Sequence, residues 1–256
     1  MKFACVASLA ALLVAAAGCG AAPQTGPQAA PAASPLSSAR AVAPPPASHT
    51  LELPPLPPSP PAHAACPVEM VAVADFCIDR YEAPNVQGAM PLAMQTAVDG
   101  ETWCASRGKH LCAEEAWVRA CEGPHGRRYP YGDAYVASAC NADKPWRKVQ
   151  WNRLARWPGE EAAEEAARLY QGDPSGAHAA CVSEEGVFDL VGNVAEWVRR
   201  GDAAPHPGYD HVLKGCYWAG CYHQPEPDCE FRNRAHPSSF RTYEAGFRCC
   251  LEPPAR

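Results

Sequence analysis

Apolar and polar residues alternate most clearly at the start of the part of the chain that is rich enough in apolar residues to fold. From Val68 to Ile78 the sequence reads VEMVAVADFCI, in which β-branched and other apolar residues alternate around Asp75. Successive side chains of a strand point to opposite faces, so this period of two predicts a strand or a hairpin.

Three later segments have the composition and period of helices. They run from about Val98 to Arg107, from about Ala113 to Glu122 and from Glu160 to Tyr170, and a glycine follows each within two residues. Glycine commonly ends helices. After the third segment the chain changes to short apolar runs among Gly, Trp and Tyr, which favour short strands and loops. The pattern predicts an α+β fold with low regular secondary structure.

The first 65 residues show neither period. Thirteen of the 28 prolines lie between Gly20 and Ala65, where Arg40 and Glu52 are the only Lys, Arg, Asp or Glu residues. Proline fixes φ and lacks an N–H, so this stretch predicts an extended polyproline II spacer. A ligand for a proline-recognition domain is the alternative. We therefore divide the chain into a signal segment at 1–18, a Pro/Ala-rich linker at 19–65 and a folded domain at 66–256.

The beginning of the chain has the pattern of an export signal. Lys2 is followed by an apolar run from Val6 to Ala17, which is too short to span a hydrocarbon core of about 30 Å. The small residues before Cys19 resemble the lipobox of bacterial lipoproteins. This resemblance implies a lipid anchor on Cys19 and a membrane-anchored protein of the bacterial cell envelope. Ordinary cleavage after Ala17, giving a freely secreted protein, is the alternative.

The formal charge restricts the classes of molecule that this chain is expected to bind. Its value of -6 argues against nucleic acid as a partner. The 191 residues that follow the linker are enough for one domain. Without Cys5 and Cys19, twelve cysteines remain, an even number in a chain with an export signal. Disulfides are therefore expected, and the absence of any C-x2-C pair argues against a structural zinc site.

An ordered series of short motifs covers the chain from about Val68 to its end and resembles the formylglycine-generating enzyme, or sulfatase-modifying factor, family. The motifs are Trp103–Ala105, Gly108–Leu111, Glu114–Trp117, Tyr129–Gly132, Cys140–Ala142, Asp189–Trp197, Lys214–Trp218 and Gly246–Cys249. The resemblance implies a C-type-lectin-like fold in which the two early helices pack on a small twisted sheet. The segment from Val149 to Gly176 does not match and is interpreted as an insertion.

The resemblance also implies two disulfides, Cys104 with Cys249 and Cys121 with Cys229. We infer the remaining pairs from the residues themselves as Cys66 with Cys77, Cys140 with Cys181, Cys216 with Cys221 and Cys112 with Cys250. We expect Arg232, Arg234 and Arg248 to neutralise interior carboxylates.

The turn that begins at Asp189 offers oxygen ligands of the kind that calcium prefers. Similarity to the family places calcium ligands at Asp189, at the carbonyls of Gly192 and Val194, and at Glu196. A second family site would begin at Asn141 and the carbonyl of Ala142. The alternative is a packing turn in which Glu196 bonds backbone amides and Trp197 is buried.

The family oxidises a substrate cysteine to formylglycine with copper held between two thiolates five residues apart. Thiolates suit Cu(I). The matching positions here are Gly220 and Pro225, neither of which can bind copper. Cys216 and Cys221 are also five apart, four residues earlier, so they are the candidate catalytic pair. A disulfide between them is the simpler explanation.

Three functions follow from these observations. The first is a catalytically degenerate domain on a lipid-anchored stalk that binds a protein, peptide or glycan through the loops between Gly201 and Ser239. The second is a copper-dependent formylglycine-generating or related thiol oxidase that uses Cys216 and Cys221. The third is a structural envelope lipoprotein.

Overall fold

The computed structural model describes residues 66–221 and 226–252 of the 256-residue chain. The predicted signal segment at 1–18, the lipid-anchor residue Cys19, the linker at 19–65 and Pro225 lie outside the described residues. Within them, none of the helices has the length and apolar character that crossing a membrane requires.

The first sheet joins the start of the folded region to its end. Strand β1 (Met70–Val73) and strand β2 (Phe76–Asp79) form the predicted hairpin, with Val73 opposite Phe76 across the turn. Strands β3 (His110–Leu111) and β8 (Cys249–Leu251) complete an antiparallel sheet of order β1-β2-β8-β3.

A second sheet has the order β6-β5-β4-β7. Its strands are β4 (Ala195–Arg199), β5 (His211–Lys214), β6 (Arg232–Asn233) and β7 (Ala245–Phe247). Strand β7 runs parallel to β4, and the other pairs are antiparallel. The expectation of one small sheet was therefore wrong. The chain leaves one sheet at Phe247 and enters the other at Cys249, which places Arg248 where the two meet.

Three of the four helices lie where the sequence pattern predicts them. Helix α1 (Ala97–Ala105) begins with a capping box in which Thr96 and Asp99 each accept the other's backbone N–H. Helix α2 spans Glu114–Glu122 and helix α4 spans Glu160–Leu169. The short helix α3 (Trp151–Leu154) was not predicted.

The core consists of two clusters of buried side chains. Trp117 belongs to the first cluster with residues of β1, β2, β4 and β5, and Trp197 and Trp218 belong to the second with residues of α1 and β7. All three indoles are 0% exposed. Leu154 and Leu169 of the inserted segment are buried in the second cluster, so the insertion is part of the core.

Six disulfides close the fold, and each joins two cysteines that the sequence analysis paired. Three are long-range: Cys104–Cys249, Cys112–Cys250 and Cys121–Cys229, with separations of 145, 138 and 108 residues. The other three are Cys66–Cys77, Cys140–Cys181 and Cys216–Cys221. Neighbouring strand residues point to opposite faces, so Cys249 and Cys250 bind α1 and the segment after β3 from opposite sides of β8.

Candidate functional site

The turn before β4 brings together the residues that the sequence analysis grouped. Gly192 has φ 78° and lies so close to the carbonyl of Asn141 that a Cβ would collide with it. The next N–H, that of Asn193, donates to the same carbonyl at 2.7 Å. The glycine is therefore required for the close approach of the turn to the segment at Asn141 and Ala142.

Glu196 lies at the centre of a buried ion pair. Its Oε1 lies 2.6 Å from Nη2 of Arg248, and its Oε2 accepts hydrogen bonds at 2.7 Å from Nε of Arg248 and from Nε1 of Trp117. Glu196 is 1% exposed and Arg248 0%. Charge-assisted, bidentate bonds of this kind are the strongest hydrogen bonds that side chains make. Both oxygens of Glu196 are therefore already in use.

Two further carboxyls lie near this pair, and the sequence analysis missed one of them. Glu82 is fully buried and accepts hydrogen bonds from Nδ2 of Asn193 at 2.9 Å and from Oγ of Ser175 at 3.1 Å. Burial, followed by the charge of Asp189, raises the pKa of Glu82 well above its ordinary range. The residues that contact Glu82 are distant in the sequence, and the segment around Glu82 contains no motif. The sequence alone therefore gives no signal for its role.

Asp189 is nearly as deeply buried. Its Oδ2 accepts the N–H of Gly176 at 2.7 Å. Burial raises the pKa of Asp189 from 3.8 to about 6, although the Gly176 hydrogen bond and Arg248 act in the opposite direction. The cluster thus contains three carboxyls and the Arg248 guanidinium, and burial disfavours the charged form of Asp189.

These residues do not fit calcium as one set of ligands. Both oxygens of Glu196 face a guanidinium and an indole N–H, so Arg248 supplies the positive charge that a cation would bring. Asn141 Oδ1 is buried without a hydrogen-bond partner in the described structure, yet one orphaned oxygen does not make a calcium site. Between residues 66 and 252, leaving out the undescribed 222–225, no group of three or more His, Cys, Asp or Glu side chains could hold a metal ion. Calcium at Asp189, Gly192, Val194, Glu196, Asn141 or Ala142 stays a prediction.

We expect the replacement Asp189→Asn to stabilise the fold near neutral pH. The folded-state pKa of Asp189 lies above its unfolded value, so this group favours folding below about pH 4 and loses that contribution as the pH rises through about 6. Asn keeps an oxygen for the Gly176 N–H and tolerates the positive φ of 57°. Urea unfolding at pH 7.5 should show a gain of about 1 to 3 kcal/mol, which shrinks towards pH 4.

The control for this prediction is Asp75→Asn, because Asp75 is exposed in the turn between β1 and β2. Because surface substitutions usually change the free energy of unfolding by less than about 0.5 kcal/mol, this variant should unfold at the same urea concentration as wild type at pH 7.5. Equal pH profiles of wild type and Asp189→Asn would contradict the prediction.

The candidate catalytic cysteines form a disulfide. Cys216 and Cys221 flank a tight turn in which the N–H of Gly220 donates to the carbonyl of Tyr217 at 2.9 Å. Copper would require two thiolates, and a disulfide offers none. Gly220 has no ligating side chain. The residues therefore do not fit copper in this state of the protein.

Trp218, which lies within this turn, is covered by the insertion. Trp218 is 0% exposed, and its ring centroid lies 4.9 Å from that of Tyr170, which directly follows α4. The backbone carbonyl of Trp218 accepts the N–H of Lys144 at 2.7 Å. Tyr217 and Tyr243 are buried in the same cluster. The insertion therefore turns this region into packed core.

A polar groove lies between α2 and the β5–β6 edge of the second sheet, and we call it the α2 groove. Its volume is about 450 Å³. It is lined by Glu114, Glu115, Val118, Arg119, Glu122, Gly201, Asp202, Lys214, Glu230 and Arg232. Five of these residues belong to the stretch from Gly201 to Ser239 that the sequence analysis selected for ligand binding.

On one wall of the α2 groove, the charged side chains are paired with each other. Arg232 Nη2 donates to Glu114 Oε2 and to Asp202 Oδ1, both at 2.7 Å. Arg232 and Arg248 thus pair with carboxylates as expected, whereas Arg234 is exposed, contrary to the expectation.

Comparison with known proteins gives one family match. The model of the sulfatase-modifying factor enzyme 1-like domain matches residues 67–253. The chain is 32% identical over 126 residues to the inactive C-alpha-formylglycine-generating enzyme 2 of Bos taurus. This match covers 47% of the chain and 36% of the bovine protein, so the chain spans about a third of that relative.

Solved structures also match the chain. CarF shows 14% identity and a TM-score of 0.47, covering 73% of this chain and 93% of CarF. PvdO from Pseudomonas aeruginosa shows 18% identity and a TM-score of 0.44, covering 69% of this chain and 80% of PvdO. The family match over residues 67–253 agrees with the fold class expected from the sequence motifs.

Proposed function

We propose that this chain, which belongs to the sulfatase-modifying factor enzyme 1-like domain family, is an exported, lipid-anchored protein that binds a ligand and does not oxidise cysteine. The observation that carries the proposal is the Cys216–Cys221 disulfide, together with Gly220 at a matching position of the expected copper pair. The bovine relative is itself named inactive.

The covered region around Trp218 supports the same proposal. An oxidase must admit a substrate thiol to its metal, whereas here the insertion packs Tyr170 onto Trp218, within the turn that joins Cys216 and Cys221. The α2 groove is lined by other residues, and Cys216, Trp218 and Cys221 are not among them. Binding therefore has a candidate surface that is independent of Cys216 and Cys221.

Export and anchoring rest on the sequence pattern at Cys19 and on the six disulfides, which suit an oxidising compartment. The proposed partners are the membrane, through the lipid on Cys19, and a protein, peptide or glycan ligand of the domain. A copper-dependent thiol oxidase is the second candidate, because Cys216 and Cys221 have the expected spacing of five residues.

The test uses the native full chain. We expect thiol titration in denaturant to find no free cysteine in the folded domain, metal analysis after incubation with copper to find no bound ion, and mass spectrometry to find a cysteine peptide unchanged under oxygen. Intact mass should show acyl chains on Cys19.

The matched control is the same assay after mild reduction, with wild type beside Cys221→Ser. An aldehyde product that wild type forms and Cys221→Ser does not would overturn the binding proposal in favour of the oxidase. An unmodified Cys19 at the mature N-terminus would overturn the anchor.

A further inference from the structure

Three polar side chains from separate parts of the chain meet at the start of β5. Nδ1 of His211, the first residue of β5, lies 2.8 Å from Oγ of Ser238. Its Nε2 lies 3.2 Å from Oε1 of Glu101 on α1. The two partners are 27 and 110 residues away from His211 in the sequence, so no local motif contains the arrangement. We call these three residues the His211 cluster.

The chemistry of the three groups fixes the direction of both hydrogen bonds. A carboxylate can only accept, so Nε2 of His211 carries the ring proton and donates it to Glu101. Nδ1 then has a free lone pair, which accepts the hydroxyl proton of Ser238. A serine that donates to an imidazole, which a carboxylate in turn orients, is the arrangement that activates a hydroxyl for acyl transfer.

The backbone of Ser238 is held on both sides. Its N–H donates to the carbonyl of Gly208 at 2.6 Å, and its carbonyl accepts the N–H of Ala97, the first residue of α1, at 3.0 Å. The hydroxyl is therefore kept beside His211 by main-chain contacts to two other segments. A reactive group requires this kind of support, because small displacements from the productive geometry reduce the rate.

The surroundings of Ser238 leave room for a substrate and supply a donor for it. A Cβ on Gly208 would meet no atom within 4 Å apart from its chain neighbours, so the space beside Gly208 is open. Ser239 is exposed, and its backbone N–H has no hydrogen-bond partner among residues 66–221 and 226–252. The N–H that follows a serine nucleophile is a known donor to the oxyanion of acyl transfer.

Arg199 is the other charged residue that contacts the His211 cluster. Its Nε donates to the carbonyl of Leu111 at 2.9 Å and lies 3.5 Å from Oε1 of Glu101. His211 is therefore the nearer partner of that oxygen. Arg199 restrains the Glu101 carboxylate without displacing it from the imidazole.

We propose that the His211 cluster is the site of an esterase that cleaves carboxylic esters with a small acyl group. Ser238 is the nucleophile, His211 is the general base, and Glu101 is a positioning residue. The N–H of Ser239 donates to the oxyanion. Ser238 is only 7% exposed, so an acetyl-sized group reaches its hydroxyl whereas a long acyl chain does not. This activity is separate from ligand binding and from the Cys216–Cys221 pair.

The reaction needs water as its only co-reactant. Oγ of Ser238 forms a bond to the carbonyl carbon of the ester while its proton moves to Nδ1 of His211. The bond between the carbonyl carbon and the alkoxy oxygen then breaks, and His211 returns the proton to the departing alcohol. Water repeats the attack on the acyl-serine, again with His211 as base, and releases the carboxylic acid and the free serine.

The first experiment labels the wild-type full chain, so it does not depend on the folding of a variant. Paraoxon phosphorylates an activated serine and releases p-nitrophenol. We expect peptide mass spectrometry to find the diethyl phosphoryl group on Ser238. The exposed Ser106 at the end of α1, which has no imidazole partner in the described structure, is the internal reference and should stay unlabelled. Absence of the adduct from Ser238, or equal labelling of Ser106, would overturn the proposal.

Variants test the two residues that contact the substrate, with p-nitrophenyl acetate as the probe. Ser238→Ala and His211→Gln should each lower kcat/KM about 100-fold, since a positioned general base and its nucleophile contribute at least that factor. The controls Ser106→Ala and His125→Gln change exposed residues outside the cluster and should keep the wild-type rate. Hydrolysis by Ser238→Ala as fast as by wild type would show that the reaction takes place elsewhere on the surface.

Glu101 requires a readout that a purely structural role would not change. Glu101→Gln should lower kcat about tenfold and leave KM within about twofold, because Glu101 orients the base and does not contact the ester. Glu101→Asp keeps the carboxylate and should recover part of the rate. An unchanged kcat in Glu101→Gln, or a rise in KM alone, would overturn the positioning role.

These outcomes are independent of those for the proposed function. If paraoxon leaves Ser238 unlabelled, the esterase proposal fails while the thiol and copper measurements still stand. If the oxidase replaces the binding proposal, the labelling of Ser238 is unaffected, because the His211 cluster contains no cysteine.

Discussion

Reduction of the disulfides is expected to unfold the domain at 25 °C. The three long-range bonds close loops of 108 to 145 residues, and in the chain-entropy account each removes about 5 kcal/mol of unfolded-state freedom. The total stability of a domain is about 5 to 15 kcal/mol, so their loss is comparable with the whole. The near-ultraviolet circular dichroism of the buried tryptophans, with and without strong reductant, measures the effect.

A comparison of two double variants shows which bonds matter. Cys121→Ser with Cys229→Ser should lower the free energy of unfolding by about 4 to 5 kcal/mol. Cys216→Ser with Cys221→Ser opens a loop of only five residues and should cost about 2 kcal/mol. A reduced protein that keeps its native near-ultraviolet spectrum would show that packing alone holds the fold.

Arg248→Met is expected to be among the most destabilising single substitutions. It removes the guanidinium that neutralises Glu196 and leaves that carboxylate buried beside Asp189 and Glu82. Breaking a buried ion pair from one side costs about 3 to 5 kcal/mol, because the remaining charge has no partner. Urea unfolding measures the loss.

The matched control is Arg156→Met, since Arg156 pairs with Glu161 on the surface. Exposed pairs contribute about 0 to 1 kcal/mol. The double variant Arg248→Met with Glu196→Gln should lose less stability than the sum of the two single variants, because Gln leaves no uncompensated charge.

If calcium restores the melting temperature of Arg248→Met and chelator abolishes the rescue, the cluster can take up the ion that the sequence resemblance predicts. A loss below about 1 kcal/mol for Arg248→Met would contradict the assignment of Arg248 as the neutralising group.

Local periodicity was sufficient for the elements that have a repeating pattern. The alternation around Asp75 predicted the first hairpin, and helical spacing predicted α1, α2 and α4 within about two residues. Helix α3 has only four residues, which is too few for a period to appear. The split into two sheets depends on pairings such as Ile78 with Cys250, which no local pattern contains.

The sites were predictable only where residues are neighbours in sequence. The turn from Asp189 to Glu196 was recognised because it is continuous. Glu82 meets Asn193 from 111 residues away, and the segment around Glu82 has the composition of an ordinary polar loop. The charges of the α2 groove likewise come from a helix, two loops and two strands. The burial of Lys214 among them therefore depends on the tertiary fold and is not visible in the local sequence.

The order in which the chain is synthesised gives the positions of the cysteines a further consequence. Cys104, Cys112 and Cys121 all find their partners after residue 228. At translation rates of about 5 to 20 residues per second, these three thiols wait roughly 5 to 30 s for the partners to be made. Cys249 and Cys250 then arrive together, one residue apart, and an exchange of partners between them would give the wrong connectivity. Maturation of this protein therefore ends on a choice between adjacent thiols, and thiol–disulfide exchange must correct the chains that choose wrongly.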